Sequence, residues 1–328
     1  MFITKRNIDK NDYYYLEDTI SCHGQRKKIS IAVSNINSID DLREAFDELR
    51  SKVVVESSKI IQSKIGLNNL SLQEVMEMER LRYNYKLFKK YFKESFESFD
   101  NDEFVRFVQG SASVEGNTLS LQEATQVIEK NLSVAGKSIS EIREIQNLKN
   151  VKEKIISKKP KITERLIRRI HNEVMDGFPE KHPGQYREKP VYITGSDHIP
   201  PNAKIIPKLM NEIIDWHSKN KDKIYPVELA SYLHVWFESI HPFMDGNGRT
   251  GRELLNLVLQ ENGFPRAIIN LDNRVSYISL LSRLEKKEDY FKFSKFLYSV
   301  LEKRTKIIEN AIDENKELII KAITKSKK

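Results

Sequence analysis

The chain has one cysteine in 328 residues, which excludes an intramolecular disulfide framework and any zinc cluster built on several thiolates. A lone Cys22 fits a reducing compartment, and the cytoplasm is the expected location. Long apolar runs are missing as well. No uninterrupted stretch approaches the roughly 20 residues that span a bilayer, and MFITKRNIDKNDYYY at the start lacks the apolar centre of a signal peptide. We therefore expect no membrane contact and no export. Charge of one sign is nowhere concentrated: 55 basic and 47 acidic residues leave a formal +8 spread along the chain, where a nucleic-acid binder gathers its excess in a stripe. The densest basic stretches, Lys152 to Lys161 and the final Lys325, Lys327 and Lys328, read as solvated surface, and no nucleic acid is expected. Glycine is sparse, twelve in all, yet Gly246, Gly248 and Gly251 crowd into one short run.

The remaining composition, 39% hydrophobic and 31% charged, is that of a globular chain long enough for one large or two modest domains. Tyr13 to Val33, rich in Tyr, Ile and Val and broken at Cys22, His23 and Gly24, predicts a strand pair joined by a turn. Beyond Ser38, Leu42, Phe46, Leu49 and Val53 keep helical spacing until about Gly66. Ser71 with Glu74, Ser120 with Glu123 and Ser138 with Glu141 have the spacing of a capping box, in which serine and acid satisfy each other's backbone N–H. They predict helix after helix, the first running toward Phe96. Leu166, Ile167, Ile170 and Val174 add an amphipathic helix over 163–175. From His182 to Pro201, alternation around Val191 and Ile193 among turn formers predicts a short β hairpin. Pro226 stands where a first helical position belongs, ahead of Leu229, Leu233, Trp236, Phe237 and Ile240, so a helix delivers the chain to His241. The fold class is mainly α.

The run HPFMDGNGRTGR, His241 to Arg252, holds an imidazole, a carboxylate, three glycines, an amide and two guanidiniums between two helical patterns. These are groups that handle phosphate. The glycines let backbone N–H groups approach an anion, and a helix starting near Arg249 points the positive end of its dipole at the same place. Arg249 and Arg252, three apart, share a helical face and can grip neighbouring phosphates. Asp245 repels phosphate on its own but bridges to it as an oxygen ligand of Mg²⁺. An imidazole titrates near neutrality, which suits His241 to take the proton of an attacking hydroxyl. Two other motifs overlap the run. The three glycines match the dinucleotide fingerprint, with Asp272 after AIINLD at the distance of a ribose contact, but that pattern needs a strand before Gly246, where the spacing is helical. The Walker pattern fails at Arg252 and Glu253, where Lys and Ser or Thr are required. A structural glycine-rich turn is the remaining reading, and it supplies no reason for a His, an Asp and two Arg together.

At these residues the sequence matches HxFx(D/E)GNGRxxR, the signature of Fic proteins, at every specified position, and the chain resembles that family from about Gln109 to Phe296. The resemblance implies an α-helical bundle with a short β-hairpin flap. It also implies an adenylyltransferase that moves AMP from ATP to a Ser, Thr or Tyr hydroxyl of a protein. His241 would be the base, Asp245 the Mg²⁺ ligand, Gly246, Asn247 and Gly248 the anion hole, and Arg249 and Arg252 the phosphate grips. GQYR at Gly184 to Arg187 opens a segment that looks like the family's flap, with Val191, Tyr192, Ile193 and Thr194 aligning an extended target segment through main-chain hydrogen bonds. Asn256 and Tyr277 occupy positions similar to the family's adenine contacts.

SASVEG, Ser111 to Gly116, matches (S/T)xxxE(G/N), the inhibitory pattern of some members. It implies that Glu115 pairs with Arg252 and keeps ATP from a productive pose, and some relatives use this Glu to remove AMP. The implied partners are ATP, a protein target and the chain itself as a target, with a homodimer left open. A different donor, giving UMP or phosphate transfer, and a regulatory module that binds nucleotide without turnover are the alternatives, and the complete signature favours adenylyl transfer. Three regions follow: 1–100, a strand pair with helices as a recognition or oligomerisation module; 101–300, the Fic-like domain; and 301–328, a charged helix.

Overall fold

The structure, a computed structural model, describes residues 1–22, 24–65, 68–193, 196–282 and 287–325, with the side chains of 287–289 outside that description. Two compact units divide the chain, Met1–Glu97 together with Glu302–Lys328, and Ser98–Leu301.

In the first unit β1 (Phe2–Ile8), β2 (Asn11–Cys22) and β3 (Gln25–Val33) form an antiparallel sheet in the order β1-β2-β3. The expected strand pair is β2 with β3, and β1 is an additional strand running from Phe2 opposite Glu17 to Ile8 opposite Asn11. Asp9 and Lys10 join β1 to β2 with φ of 50° and 67°, positive at both central residues as in the tight turn that prefers Asn-Gly. A reading keyed to glycine and asparagine passes over Asp-Lys, which is why this strand was not expected. Alternation along the sheet turns Leu16, Ile20, Ile29 and Ile31 inward, where α1 (Ile39–Lys64) lies against β2 and β3. Ser38 caps α1 by accepting from the Asp41 N–H, and α2 (Leu72–Tyr91) packs on its buried Phe46 and Leu49. The helix expected to reach toward Phe96 ends at Tyr91, and α3 (Lys93–Val114) starts afresh.

The second unit is helical. It holds the rest of α3, then α4 (Leu121–Lys130), α5 (Ile139–Lys154), α6 (Glu164–Val174), α7 (Ile206–Asn220), α8 (Pro226–Ile240), α9 (Asn247–Glu261), α10 (Leu271–Leu281) and the first part of α11 (Lys287–Glu314). Beyond Leu301 the chain returns to the first unit, where α12 (Lys316–Lys325) packs on α1. All three capping boxes form with both reciprocal hydrogen bonds, and Pro226 sits in the first turn of α8. α8 packs on α9, with α7 against α8 and α6 against α9. Both central helices are buried around most of their circumference, so His234, Glu238, Arg252 and Glu253 enter the interior beside Leu229, Leu233, Leu254 and Val258. Because the helix α8 precedes Gly246, and Phe264 to Asn270 form no strand, the dinucleotide pattern lacks the strand it needs.

The expected hairpin between His182 and Pro201 forms no strand ladder among its described residues. Tyr192 is 87% exposed and Val191 and Ile193 are only half-buried, so no packed face selects a ladder. Side chains hold this segment instead: His198 Nε2 contacts the Ser239 carbonyl at 2.8 Å, and Arg187 serves the backbone around it. Thr194 lies outside the described residues.

Phe46 has no exposed surface, so Phe46→Ala removes buried area and leaves a cavity. It should lower the unfolding free energy by about 3–5 kcal/mol in a urea titration, and a loss below ~1 kcal/mol would contradict the packing of α1 described here.

Candidate active site

The site forms where α8 hands over to α9. His241 follows the last turn of α8 in the left-handed region, φ 48°, while its N–H still bonds the Phe237 carbonyl, so the imidazole is carried on a helix end and not on a free loop. Asn247 fastens the connecting loop: its Oδ1 accepts from the Phe243 N–H at 2.9 Å and its Nδ2 donates to the Phe243 carbonyl at 3.0 Å. Gly246 is the N-cap of α9 at φ 73°, and a Cβ there would stand 2.6 Å from Met175 Sδ, so the turn and the space both demand glycine. No side chain caps α9, which leaves its first-turn N–H groups and its dipole to an anion. The helix begins at Asn247, two residues before the expected start.

Arg252 is 1% exposed and fully engaged. Its Nε donates to Ser111 Oγ at 2.9 Å, Nη2 to the Ser111 carbonyl and to Glu115 Oε1 at 2.8 Å each, and Nη1 to the Tyr277 hydroxyl at 3.2 Å. Burial disfavours its charge, yet Tyr277 and Glu115 together raise its pKa above the ordinary value. The Tyr277 hydroxyl lies 2.9 Å from His234 Nε2, and burial pushes that imidazole down to about 3, so it is neutral. A Cβ on Gly248 would fall 2.2 Å from Glu115 Oε1; the bare glycine is what admits the carboxylate. With Glu115 in place, the cavity bounded by it, Ile193, His241, Arg252 and Tyr277 measures about 90 Å³. Small-molecule sites usually need about 300 Å³ or more.

Asp245 Oδ1 accepts from the Gly246 N–H at 2.6 Å and from Arg249 Nη2 at 3.3 Å, and Oδ2 lies 3.1 Å from Lys181 Nζ. Burial favours its neutral acid, but Arg249, Lys181 and the Gly246 N–H hold its pKa below the usual carboxylate value. Among the described residues no group of three or more His, Cys, Asp or Glu could hold a metal ion. Burial lowers the His241 pKa to about 4, leaving a neutral imidazole at neutral pH. Its Nδ1 lies 3.8 Å from Glu238 Oε2, and burial lifts that carboxyl to about 8.

His241, Asp245, the loop glycines, Arg249, Arg252, Ser111, Glu115 and Tyr277 thus meet at one site. Asn256 is committed elsewhere: its Nδ2 donates to the Arg252 and Ala267 carbonyls and its Oδ1 accepts from the Ala267 N–H. Of the flap residues, Ile193 reaches the cavity and Tyr192 projects into solvent.

Two supporting residues had no role assigned from the sequence. His171 stacks on Phe243 with centroids 3.6 Å apart, accepts from the Gly184 N–H at Nδ1 and donates from Nε2 to the Asp245 carbonyl, both at 2.9 Å. In the sequence it is one more residue of an amphipathic helix. Arg187 is buried and donates to the carbonyls of His241, Lys189, Pro201 and Ile240, so it ties the end of α8 to the flap segment. GQYR marked it as part of a flap but not as a support for His241.

An NMR titration of the His241 imidazole should find it neutral from pH 8 to pH 5, taking up its proton near pH 4, where it loses the capacity to act as a base. A midpoint near the ordinary ~6.5 would contradict the burial.

Residues 161–259 match the Fic/DOC family model. The protein adenylyltransferase Fic of Nematostella vectensis is 33% identical over 232 residues, which cover 64% of this chain and 54% of that protein. The chain spans about half the length, 41–54%, of three curated relatives it matches. A Fic domain containing signaling protein from Bacteroides thetaiotaomicron superposes with a TM-score of 0.65 at 24% identity, over 73% of this chain and 97% of that one. A Fic family protein from Desulfovibrio desulfuricans gives 0.65 at 25% identity, over 76% and 78%. The matched segment runs from the start of α6 into α9, taking in His171, Arg187 and the whole run from His241 to Arg252. With that segment folded around the complete signature, residues 161–259 form a Fic/DOC domain, and the chain is similar to Fic proteins beyond it.

Proposed function

We propose that the chain is a protein adenylyltransferase that is held back by its own Glu115. The observation that carries this reading is a buried, neutral His241 set beside the uncapped N-terminus of α9, which brings Arg249 and Arg252 to the same place. A target hydroxyl oxygen attacks the α-phosphorus of ATP, the bond from that phosphorus to the bridging oxygen breaks, pyrophosphate leaves, and His241 takes the hydroxyl proton. Removing such a base costs roughly a hundredfold to ten-thousandfold in rate. Backbone N–H groups at Asn247 and Gly248 stabilise charge on the transferring group, and the two arginines orient the phosphates.

Mg²⁺ fits the donor set. It binds through one or two carboxylates and completes its shell with phosphate and water, so Asp245, kept ionised and partly exposed, suits it. When bound, the ion supplies neutralisation of the phosphate charge. The chain's own part is to hold that carboxylate, through the Gly246 N–H and through His171 on the Asp245 carbonyl.

Glu115 and a phosphate compete for Arg252. A desolvated carboxylate–guanidinium pair is strongly held once formed, because removing one partner strands the other at about 3–5 kcal/mol. The narrow cavity supports the same view. Beyond the site, we read the partners as ATP, a protein substrate and the chain itself, in the cytoplasm, with residues 1–100 serving recognition or oligomerisation.

The test is incubation with Mg²⁺ and ATP labelled at the α-phosphate. Glu115→Gly should carry at least ~tenfold more protein-bound label than wild type, the added mass should be one AMP, and Glu115→Gly with His241→Ala should carry none. ATP labelled at the γ-phosphate should leave no label. Equal labelling of wild type and Glu115→Gly would remove the brake from this reading, label surviving in the double variant would remove His241 as base, and γ-label on protein would mean phosphate transfer. Bound ATP with no label from any variant, even with lysate as target, would favour a nucleotide-binding module.

A further inference from the structure

Arg252 and Arg249 are both held by acids, but only the first is explained by the inhibitory pattern. Arg249 is 4% exposed, and its Nη1 lies 3.0 Å from Glu144 Oε1, an ion pair without hydrogen-bond alignment. Glu144 comes from α5, far from the signature in sequence. Its second oxygen, Oε2, accepts from Asn117 Nδ2 at 2.9 Å. Asn117 also donates to the Glu141 carbonyl at 3.0 Å and accepts from the Leu119 N–H at 3.1 Å, so its amide is fixed in orientation. The backbone of the same residue closes α3: the Asn117 N–H bonds the Ala112 carbonyl at 3.1 Å, past Gly116 at φ 105°. That is the turn that presents Glu115 to Arg252.

We propose that Glu144 is a positioning residue that holds the Arg249 guanidinium in the phosphate site, and that Asn117 holds Glu144 in turn. The proposal rests on the nucleotide reading above. The last turn of α3 and the residues just after it thus set both arginines, Arg252 directly through Ser111 and Glu115, and Arg249 through Asn117 and Glu144. The physical reason is entropic and electrostatic together. A long arginine side chain forfeits rotamer freedom when it grips a phosphate, and one already pinned loses less. Asp245 alone, at 3.3 Å and 40% exposed, is a weaker anchor and is also the carboxylate a cation would take. Glu144, 22% exposed and bonded on its other oxygen, remains available to Arg249 in either case.

The experiment is a double-mutant cycle read by calorimetric titration of ADP with Mg²⁺, which requires no turnover. Glu144→Ala should weaken ADP about tenfold, equivalent to ~1.4 kcal/mol, and should add nothing in an Arg249→Ala background. Glu144→Gln, which keeps an acceptor for Arg249, should fall between wild type and Glu144→Ala, and Asn117→Ala should show a smaller loss that also vanishes with Arg249→Ala. Unchanged circular dichroism and melting of the unliganded variants exclude misfolding as the cause. Losses that multiply in the double variant, or tighter ADP binding by Glu144→Ala, would overturn the proposal. If Arg249→Ala alone leaves ADP affinity unchanged, the phosphate reading fails and this proposal with it. A coupled cycle without any label transfer would keep the positioning role and remove only the transferase.

Discussion

A guanidinium with almost no exposed surface must find acceptors inside the protein, and at Arg252 this requirement organises the site. Its partners come from separate elements: Ser111 and Glu115 at the end of α3, and Tyr277 on α10, which passes the contact on to His234 of α8. Three helices are thereby tied to the second turn of α9. The acceptors raise the arginine's pKa against the pull of burial, so the charge stays and something anionic must face it. In the structure that anion is Glu115. A phosphate offers the same chemistry, and on the proposed reading it competes with the carboxylate for Arg252.

Four titratable groups of the α8–α9 pair carry little charge at neutral pH or are shifted toward it. His234 and His241 are neutral through burial, and Glu238 and Glu253 are pushed up to about 8 by the same cause. The ion pairs of the site are Arg252 with Glu115, and Arg249 between Asp245 and Glu144. On the proposed reading, a base that is already neutral can accept a proton without first losing one, and a low-charge surrounding strengthens each interaction with a bound phosphate.

How much of this was legible in the sequence depends on range. His241, Asp245, the glycines and the two arginines lie within one run, so their chemistry could be read from neighbours, and the capping boxes are local devices that formed as written. Glu115 became readable through a short pattern tied to a family. Roles that arise when distant helices meet left no local trace. His171, Arg187 and Glu144 are an ordinary helix residue, a loop arginine and one glutamate among many until α5, α6 and α9 are folded together. The β1 strand was hidden by a turn of unusual composition, Asp9-Lys10. The alternation around Val191 suggested a hairpin, but alternation stabilises strands only where one face is buried, and here it is not.

Competition at Arg252 is tested most directly by comparing ATP and ADP affinities, with Mg²⁺, in wild type and Glu115→Gln. If the carboxylate occupies the place of a phosphate, the extra phosphate of ATP should add little affinity over ADP in wild type and should add on the order of tenfold once the negative charge of Glu115 is removed. The same ATP-to-ADP ratio in both proteins would contradict it, leaving the Glu115–Arg252 pair as a structural contact with no bearing on the nucleotide.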